Sequence, residues 1–285
     1  MSQGKIKSHR YAPHEINNAD KITFDVSDYS KFKYGDYEIS KRYGTELFDY
    51  FYNNILGNIK TKRIIVYSSP YAFIPTASYH MTDSFYSLLQ ENIGKLNRVK
   101  EIEFGKINRM QTYIADYGSM NAKERYDLIK NDTYELLKLP NENATLLFLD
   151  DISITGTHQI VIEGILKELG IMNDSIFLYY AKLNDQNIPA TIENILNYSF
   201  VKSYKELLKV VLAPQFRNTT RTTKFLLGLP VVEFEAFIRH LNFKNKMEIL
   251  LDFYNGAIKN GYDSIPEFKC NLDRMQLSCD LLEQN

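Results

Sequence analysis

One stretch of the chain decides its interpretation: Thr145-Leu-Leu-Phe-Leu-Asp-Asp-Ile-Ser-Ile-Thr-Gly-Thr-His158. Its apolar run, Leu146 to Leu149, is typical of a strand buried on both faces of a parallel sheet. Asp150 and Asp151 follow directly, and a turn of small residues then leads into a helix with an apolar face. Ligands of open α/β sheets bind beyond the carboxyl ends of the strands. The stretch therefore predicts a sugar-phosphate pocket: the turn's N–H groups hold a phosphate, and the carboxylates hold hydroxyls directly or through hydrated Mg²⁺.

This stretch resembles the phosphoribosyl pyrophosphate (PRPP) motif of type I phosphoribosyltransferases, in which four apolar and two acidic residues precede a Thr-Gly loop. The resemblance implies that Asp150 and Asp151 face the ribose 2′- and 3′-hydroxyls and contact Mg²⁺ through water. It also implies a loop around the 5′-phosphate. The residues of that loop are Ile154, Thr155, Gly156, Thr157 and His158.

Two positions depart from the family pattern. Ile154 lies where purine-salvage members place an acidic residue near the base, and His158 lies where many members have threonine. The first departure argues against a hypoxanthine or guanine acceptor. From the residues alone, the two aspartates before a glycine turn also fit a plain helix N-cap.

Composition places the chain among ordinary globular proteins and excludes several functions. It has 285 residues, of which 44% are hydrophobic and 24% charged, and a net charge of −1. A nearly neutral chain has no global field that favours nucleic acid or an anionic membrane. Only two cysteines are present, and no stretch is apolar enough to span a membrane. We expect a cytoplasmic protein with no nucleic-acid partner and no membrane partner.

Strand-like and helical patterns alternate between Arg63 and Lys182, which predicts a parallel sheet with helices on both faces. The helix predicted after the central motif contains Gly164, which indicates a close packing contact. Beyond about residue 185 the patterns are helical only. We predict an α/β, type I phosphoribosyltransferase-like fold with a C-terminal all-helical region. The predicted divisions are an N-terminal arm and hood segment (1–60), the α/β core (61–184) and the helical region (185–285).

The segment before the core has two interpretations. Residues 22–38 alternate loosely, which predicts one or two short strands or an ordered loop. Phe32-Lys-Tyr-Gly-Asp36 resembles a segment found in phosphoribosyltransferases associated with tellurium-resistance gene clusters. That resemblance implies that residues 21–58 contribute to the hood over the active site. The alternative is a surface turn in front of a packing helix.

The predicted strand that starts at Arg63 ends in a Ser-Ser-Pro-Tyr turn. In the family that this chain resembles, the loop after the first core strand receives the pyrophosphate. The resemblance therefore assigns this role, by position, to hydroxyl and N–H groups of the turn. An ordinary strand-terminating turn is the alternative. The four residues concerned are Ser68, Ser69, Pro70 and Tyr71.

A long connection follows the next predicted strand, and such connections often work as lids or binding loops. The resemblance places here the mobile loop that closes over PRPP and excludes water. Lys106 and Arg109 are its cations best placed to reach the departing pyrophosphate, unless they are solvated loop charges. Asn121 and Glu124 then predict a capping box that opens a helix through about residue 137.

The C-terminal helical region has one polar junction, Gln215 to Arg221. Arg217 and Arg221, with a helix N-terminus, are weak candidates to bind an acidic acceptor or a phosphate. The alternative is a capped helix that carries two surface arginines.

Three functions fit these patterns. The first is transfer of the ribose 5-phosphate group of PRPP onto an acceptor outside purine salvage, with Mg²⁺ and release of pyrophosphate, by a possible homodimer. The second is a PRPP- or nucleotide-binding regulator that keeps the fold without turnover. The third is another α/β enzyme that uses the same turn for a different phosphate.

Overall fold

The computed structural model describes residues 7–18, 21–96, 98–109, 120–121, 123–124, 134–141, 143–185, 187–241 and 243–283. Its strands are β1 (Ser8–Tyr11), β2 (His14–Ile16), β3 (Arg63–Tyr67), β4 (Glu101–Gly105), β5 (Ile107–Arg109), β6 (Tyr134–Leu136), β7 (Ala144–Ser153) and β8 (Ser175–Leu183). The main sheet runs β1-β8-β7-β3-β4, with β2 also on β8, and every pair in it is parallel. The β5–β6 pair forms a small antiparallel sheet.

The helices are α1 (Val26–Lys33), α2 (Tyr37–Asn54), α3 (Ala77–Glu91), α4 (Thr157–Glu168), α5 (Ile192–Asn197), α6 (Tyr204–Val211), α7 (Thr220–Leu227), α8 (Val231–His240), α9 (Phe243–Lys259) and α10 (Pro266–Glu283). Successive residues of β7 point to opposite faces of the sheet. Leu147 and Leu149 pack in the cluster that contains α2 and α3, whereas Leu146 and Phe148 pack in the cluster that contains α4. The predicted parallel sheet with helices on both faces is therefore confirmed.

The N-terminal segment differs from its prediction, because residues 26–33 form α1 and not strands. Asp25 caps this helix: its Oδ1 accepts hydrogen bonds from the backbone N–H groups of Ser27 (2.7 Å) and Asp28 (3.0 Å). Tyr29 and Phe32, three positions apart, are both fully buried on one helix face. Residues three apart share a face in a helix but point to opposite faces of a strand, so the alternation inferred from sequence was the wrong period.

The predicted helix over residues 121–137 is wrong at its end, where Tyr134–Leu136 is β6 and pairs with β5. Its predicted start has the expected geometry. The backbone N–H of Asn121 donates to Glu124 Oε2 at 2.9 Å, and Asn121 Oδ1 accepts from the N–H of Glu124 at 3.0 Å. Residues 110–119, which belong to the predicted lid, and residues 125–133 lie outside the described residues.

The predicted all-helical C-terminal region is confirmed, because its described part forms helices α5 to α10 and contains no strand. These helices enclose a hydrophobic cluster of their own, which also contains Tyr34 and Ile74 from the earlier part of the chain. No helix in the described ranges is long and apolar enough to cross a membrane. The divisions at residues 60 and 184 stay predictions, and β1 and β2 of the first division pair with β8 of the second.

Helix α7 is fixed to the end of α1 and to the loop before α3 by threonines. Thr219 Oγ1 donates to the Lys33 carbonyl at 3.0 Å, and Thr222 Oγ1 donates to the Tyr34 carbonyl at 2.8 Å. The backbone N–H of Thr220 donates to the Pro75 carbonyl at 2.9 Å. Because Thr219 and Thr222 are fully buried, these bonds fix where α7 lies against the core.

Candidate active site

A cavity of about 500 Å³ lies between the carboxyl ends of β3 and β7 and the C-terminal helices. It is in the place that the sheet topology predicts for a ligand. Most of the residues predicted to form the site line it. Those residues are Ser69, Pro70, Tyr71, Arg109, Asp150, Asp151, Ile154, Thr155, Gly156, Thr157, His158 and Arg221. Three other predicted residues, Ser68, Lys106 and Arg217, are not among its lining residues.

The two aspartates lie inside β7 and not after it, since the strand continues to Ser153. Pairing with β8 persists at Asp150, opposite Tyr179, and at Ile152, opposite Ala181. The expectation that the strand ends before the aspartates is therefore wrong. Because adjacent strand residues point to opposite faces, Asp150 and Asp151 contact different neighbours at the edge of one cavity.

Asp151 binds two side chains from α1. The Tyr29 hydroxyl donates to its Oδ2 at 2.6 Å, and Lys33 Nζ donates to the same oxygen. The side chains of Lys33 and Asp151 are 14% and 7% exposed, so this is a buried ion pair. Burial alone would raise the pKa of Asp151, but the Lys33 charge and the hydrogen bonds that the carboxylate accepts lower it to about 2. Asp151 is therefore held as a carboxylate.

Asp150 contacts the first turn of α4. Its Oδ2 lies 3.1 Å from His158 Nδ1, and its side chain is 13% exposed. Burial raises the pKa of Asp150, the hydrogen bond with His158 opposes that rise, and the neighbouring charge of Asp151 adds to it. The adjacent carboxylates thus differ in acidity because only Asp151 has a lysine partner.

The loop between β7 and α4 has the geometry of an anion site. Gly156 takes a left-handed conformation (φ +72°) directly before the helix, and the hydroxyls of Thr155 and Thr157 are 2.7 Å apart. A Cβ on Gly156 would lie 3.0 Å from a terminal nitrogen of Arg10 in β1. Arg10 Nε donates to Gln159 Oε1 at 2.6 Å, which fixes the guanidinium beside the loop. The loop therefore combines helix N–H groups, two hydroxyls and a nearby cation.

The Ser-Ser-Pro-Tyr turn follows β3, the strand paired with β7, and its serine hydroxyls bind within the protein. Ser69 Oγ bonds to Thr76 Oγ1 at 2.9 Å and to Ser78 Oγ, and the Ser68 hydroxyl donates to the Ser69 carbonyl at 3.2 Å. Side-chain hydroxyls of this turn thus shape the loop, and Ser69, Pro70 and Tyr71 form the part of it that lines the cavity.

The two cations predicted for the lid have different surroundings. Lys106 Nζ donates to the Ala72 carbonyl at 3.0 Å and lies 4.4 Å from the centre of the Tyr71 ring, so it holds the turn in place. Arg109 lines the cavity, and its backbone N–H donates to the Tyr71 carbonyl at 3.2 Å. Arg109 is therefore the cation that the structure places beside the turn and the cavity.

Helices of the C-terminal region close the cavity on the side away from the sheet. Arg221 lines the cavity, whereas Arg217 lies 5.1 Å from the centre of the Tyr37 ring and is not a lining residue. We call the lining residues contributed by the C-terminal region the helical wall. Its main members are Tyr198, Arg221, Lys224, Phe225, Asn260 and Tyr262.

The partners of Asp151 and one further cavity residue could not be identified from sequence motifs. Tyr29 and Lys33 are 122 and 118 residues away from Asp151 in the chain. The only signal for Lys33 was its place in the segment that resembles the tellurium-cluster enzymes. For Glu193, a buried lining residue on α5, no sequence motif gave a signal.

One family model matches most of the chain. The family model described as PRTase ComF-like matches residues 8–275. Two crystal forms of a hypoxanthine phosphoribosyltransferase from Staphylococcus aureus are among the similar solved structures. The tetragonal form is 12% identical with a TM-score of 0.24, and the match covers 60% of this chain and 83% of that one. The orthorhombic form is 11% identical with a TM-score of 0.24, over 58% and 79%. No curated protein gives a significant match.

Proposed function

Because the chain belongs to the PRTase ComF-like family, we propose that it transfers the ribose 5-phosphate group of PRPP onto a small-molecule acceptor and releases pyrophosphate. Membership confirms the predicted type I phosphoribosyltransferase-like fold and supports phosphoribosyl transfer in general. One observation supports the specific reaction: the Asp150–Asp151 pair and the 154–158 loop line the same cavity.

In the proposed reaction, the bond from C1 of the ribose to a pyrophosphate oxygen breaks, and a bond from C1 to an acceptor atom forms. Positive charge develops on the sugar and negative charge on the leaving group, as in other glycosyl transfers. Asp150 and Asp151 accept hydrogen bonds from the ribose hydroxyls and orient the sugar. The loop N–H groups and the hydroxyls of Thr155 and Thr157 hold the 5′-phosphate.

The charge of the leaving group requires cations. We assign the stabilisation of pyrophosphate to Arg109, which lines the cavity and whose backbone N–H binds the Ser-Ser-Pro-Tyr turn. The aspartates also fit Mg²⁺, which prefers carboxylate oxygen and is usually bound by one or two carboxylates together with substrate phosphates. When bound, Mg²⁺ would neutralise the phosphate charge. Within the described residues there is no group of three His, Cys, Asp or Glu side chains that could hold a metal without the substrate.

A calorimetric titration with Mg²⁺–PRPP tests the site. We expect Asp150→Asn and Asp151→Asn each to weaken binding at least about tenfold, because a hydrogen bond to a charged group contributes about 1.5–3 kcal/mol. Asp273→Asn, on the exposed face of α10, is a matched control that should bind as wild type does. Unchanged affinity in both cavity variants would contradict the proposed site.

A second function, binding of PRPP or a nucleotide without turnover, is favoured by one observation. Both carboxylates already contact protein groups, Asp151 with Lys33 and Tyr29, and Asp150 with His158. A ribose must therefore compete with these contacts. Pyrophosphate release distinguishes the two functions: release with any acceptor in a mixed panel supports the transferase, and tight binding without release supports the regulator.

A further inference from the structure

Helix α1 places a lysine in the cavity that the PRPP motif does not account for. Lys33 lines the cavity, and its Nζ donates to Asp151 Oδ2 as one half of the buried ion pair. The proposed reaction gives Lys33 no part. Resting on the proposed function, we propose that Lys33 is a positioning residue for the sugar. Its ammonium occupies the place of a metal ion at Asp151, so that Mg²⁺ is left to Asp150 and the phosphates of PRPP.

One oxygen of Asp151 holds two donors that both come from α1. The Tyr29 hydroxyl donates to Oδ2 at 2.6 Å, and Lys33 Nζ donates to the same atom. Tyr29 and Lys33 are four residues apart, so they lie on one face of the helix. A Mg²⁺ ion bound at this oxygen would have to displace a fully buried hydroxyl or lie beside an ammonium. Both changes cost free energy in a buried site, where charges are poorly screened.

The end of α1 is fixed, so the lysine is in position before a ligand binds. Ser30 Oγ donates to the Asn197 carbonyl at 2.7 Å and accepts from the Val201 N–H at 3.1 Å. Three residues later, Thr219 Oγ1 donates to the Lys33 carbonyl at 3.0 Å. Ser30 and Thr219 are fully buried. Movement of α1 away from β7 would therefore break buried hydrogen bonds.

Asp150 has different surroundings, and these suit a metal ion better. Its Oδ2 lies 3.1 Å from His158 Nδ1, and its Oδ1 accepts from the N–H of Asp151 at 2.9 Å. Among the described residues no lysine or arginine side chain pairs with Asp150, whereas Asp151 pairs with Lys33. Mg²⁺ is usually bound by one or two carboxylates together with substrate phosphates, and Asp150 is the one of this pair that we assign to it.

The Lys33–Asp151 pair has the groups that a sugar hydroxyl needs. A hydroxyl both donates and accepts, while an ammonium has several donors and a carboxylate several lone pairs. A ribose hydroxyl that donates to Asp151 in competition with the resident donors can accept from Lys33 in turn. In this arrangement the sugar is held without a metal ion, and Mg²⁺ is needed only for the pyrophosphate. Binding of the sugar and binding of Mg²⁺ should therefore be independent of each other.

Calorimetry with ribose 5-phosphate and PRPP tests this independence on the wild-type chain. Ribose 5-phosphate has the sugar without the pyrophosphate, and each compound is titrated in EDTA and in excess Mg²⁺. We expect the affinity for ribose 5-phosphate to change less than about twofold between the two conditions. The affinity for PRPP should rise about tenfold or more with Mg²⁺, because only PRPP has the group that binds the metal.

A gain of metal binding is the sharper test, because a damaged fold does not produce it. Mn²⁺ replaces Mg²⁺ here, since electron paramagnetic resonance measures the free ion directly. Lys33→Met removes the cation from Asp151, and without any sugar we expect this variant to bind Mn²⁺ about tenfold tighter than wild type does. Lys33→Arg keeps the charge and should bind Mn²⁺ as wild type does.

Two further variants locate the gain at Asp151. Lys33→Met/Asp151→Asn removes the carboxylate together with its lysine and should lose the gain. Lys41→Met breaks the exposed pair with Glu38, changes the net charge as Lys33→Met does, and should bind Mn²⁺ within about twofold of wild type. In EDTA, Lys33→Met should also bind ribose 5-phosphate about tenfold more weakly, and Mg²⁺ should recover part of that loss.

Three results would overturn the inference. They are tighter binding of ribose 5-phosphate by wild type in Mg²⁺, no gain of Mn²⁺ affinity in Lys33→Met, and a gain that persists in the double variant. Lys33→Gln, which keeps a hydrogen-bond donor, carries the same expectations if Lys33→Met does not fold. Failure of wild type to bind either sugar phosphate would instead overturn the proposed function, and a Mn²⁺ gain in Lys33→Met would then still assign the cation place at Asp151 to Lys33.

Discussion

Lys33 Nζ and Asp151 Oδ2 form an ion pair that joins α1 to β7 across 118 residues of sequence. Removal of one partner from a buried pair leaves an uncompensated charge. We expect Lys33→Met to lower the free energy of unfolding by about 3 kcal/mol, measured by chemical denaturation. Lys41→Met, which breaks a pair with Glu38 whose side chains are 40% and 58% exposed, should cost less than about 1 kcal/mol.

The double variant Lys33→Met/Asp151→Asn removes both charges and should recover much of the stability that Lys33→Met loses. Equal losses of unfolding free energy in Lys33→Met and Lys41→Met would show that the buried ion pair stabilises the fold no more than the exposed pair does.

The low pKa of Asp151 predicts a pH dependence of stability. A carboxyl with a folded pKa of about 2, against an ordinary value of 3.8, stabilises the fold above the ordinary value. That stabilisation is lost as the pH falls through the folded value, and it amounts to about 2 kcal/mol. We expect the free energy of unfolding to fall more steeply for wild type than for Asp151→Asn between about pH 4 and pH 2. If the free energy of unfolding fell equally with pH in wild type and in Asp151→Asn, the low pKa of Asp151 would be contradicted. Asp150, whose pKa is raised, contributes with the opposite sign in both proteins.

Alanine substitutions at Gly156 and Gly170 separate the cost of a strained backbone from an effect on ligand binding. Both have a positive φ, of 72° and 69°. Alanine at either position should cost about 1–2 kcal/mol, because a Cβ disfavours the left-handed region. Only at Gly156 would the new Cβ meet Arg10, while Gly170 faces open space. We therefore expect Gly156→Ala alone to weaken binding of Mg²⁺–PRPP, measured by calorimetry. A similar loss of binding in Gly170→Ala would point to a general effect of stability.

Alanine substitutions at two glycines inside helices should change the stability of the fold in opposite directions. A Cβ on Gly44 of α2 would lie 2.6 Å from the Met81 carbonyl oxygen and 2.7 Å from Ser84 Cβ in α3. We expect Gly44→Ala to destabilise the fold by about 2 kcal/mol through overpacking. Among the described residues, a Cβ on Gly164 of α4 would meet no atom outside its own helix backbone within 4 Å, so the close contact predicted from sequence is wrong. Gly164→Ala should stabilise by about 0.5–1 kcal/mol in thermal or chemical denaturation.

The sheet and the C-terminal helices could be predicted because their patterns are local. The apolar run before Asp150 defines a buried strand, and helical periodicity with proline boundaries defines the last six helices. Helix α1 was missed because its eight residues carry only a short apolar stripe, which was interpreted as strand alternation although Tyr29 and Phe32 have helical spacing. For β6 the partner, β5, is 25 or more residues away, and this pairing is decided by tertiary contacts.

Within the candidate site, the motif predicted the aspartates and the loop, because the strand, turn and helix are consecutive. The partners of Asp151 come from α1, and sequence spacing carries no information on that contact. Arg217 and Arg221 were equivalent in sequence, and they differ because Arg221 lies on α7, which its threonines bind to the core, whereas Arg217 lies before that helix. Residue types and their local spacing thus predicted the kind of site, whereas long-range packing determined which side chains lie in it.

Lys33 and Tyr34 are neighbours in the chain, but their side chains go to different places. The ammonium of Lys33 reaches Asp151, while the Tyr34 ring is fully buried in the cluster of the C-terminal helices. Their carbonyls both bind α7, the helix of Arg221 and Lys224. Two consecutive backbone carbonyls thus tie α7 to the segment whose lysine pairs with Asp151. The position of α7 and the origin of the Asp151 counter-ion are thus set by the same short segment of backbone.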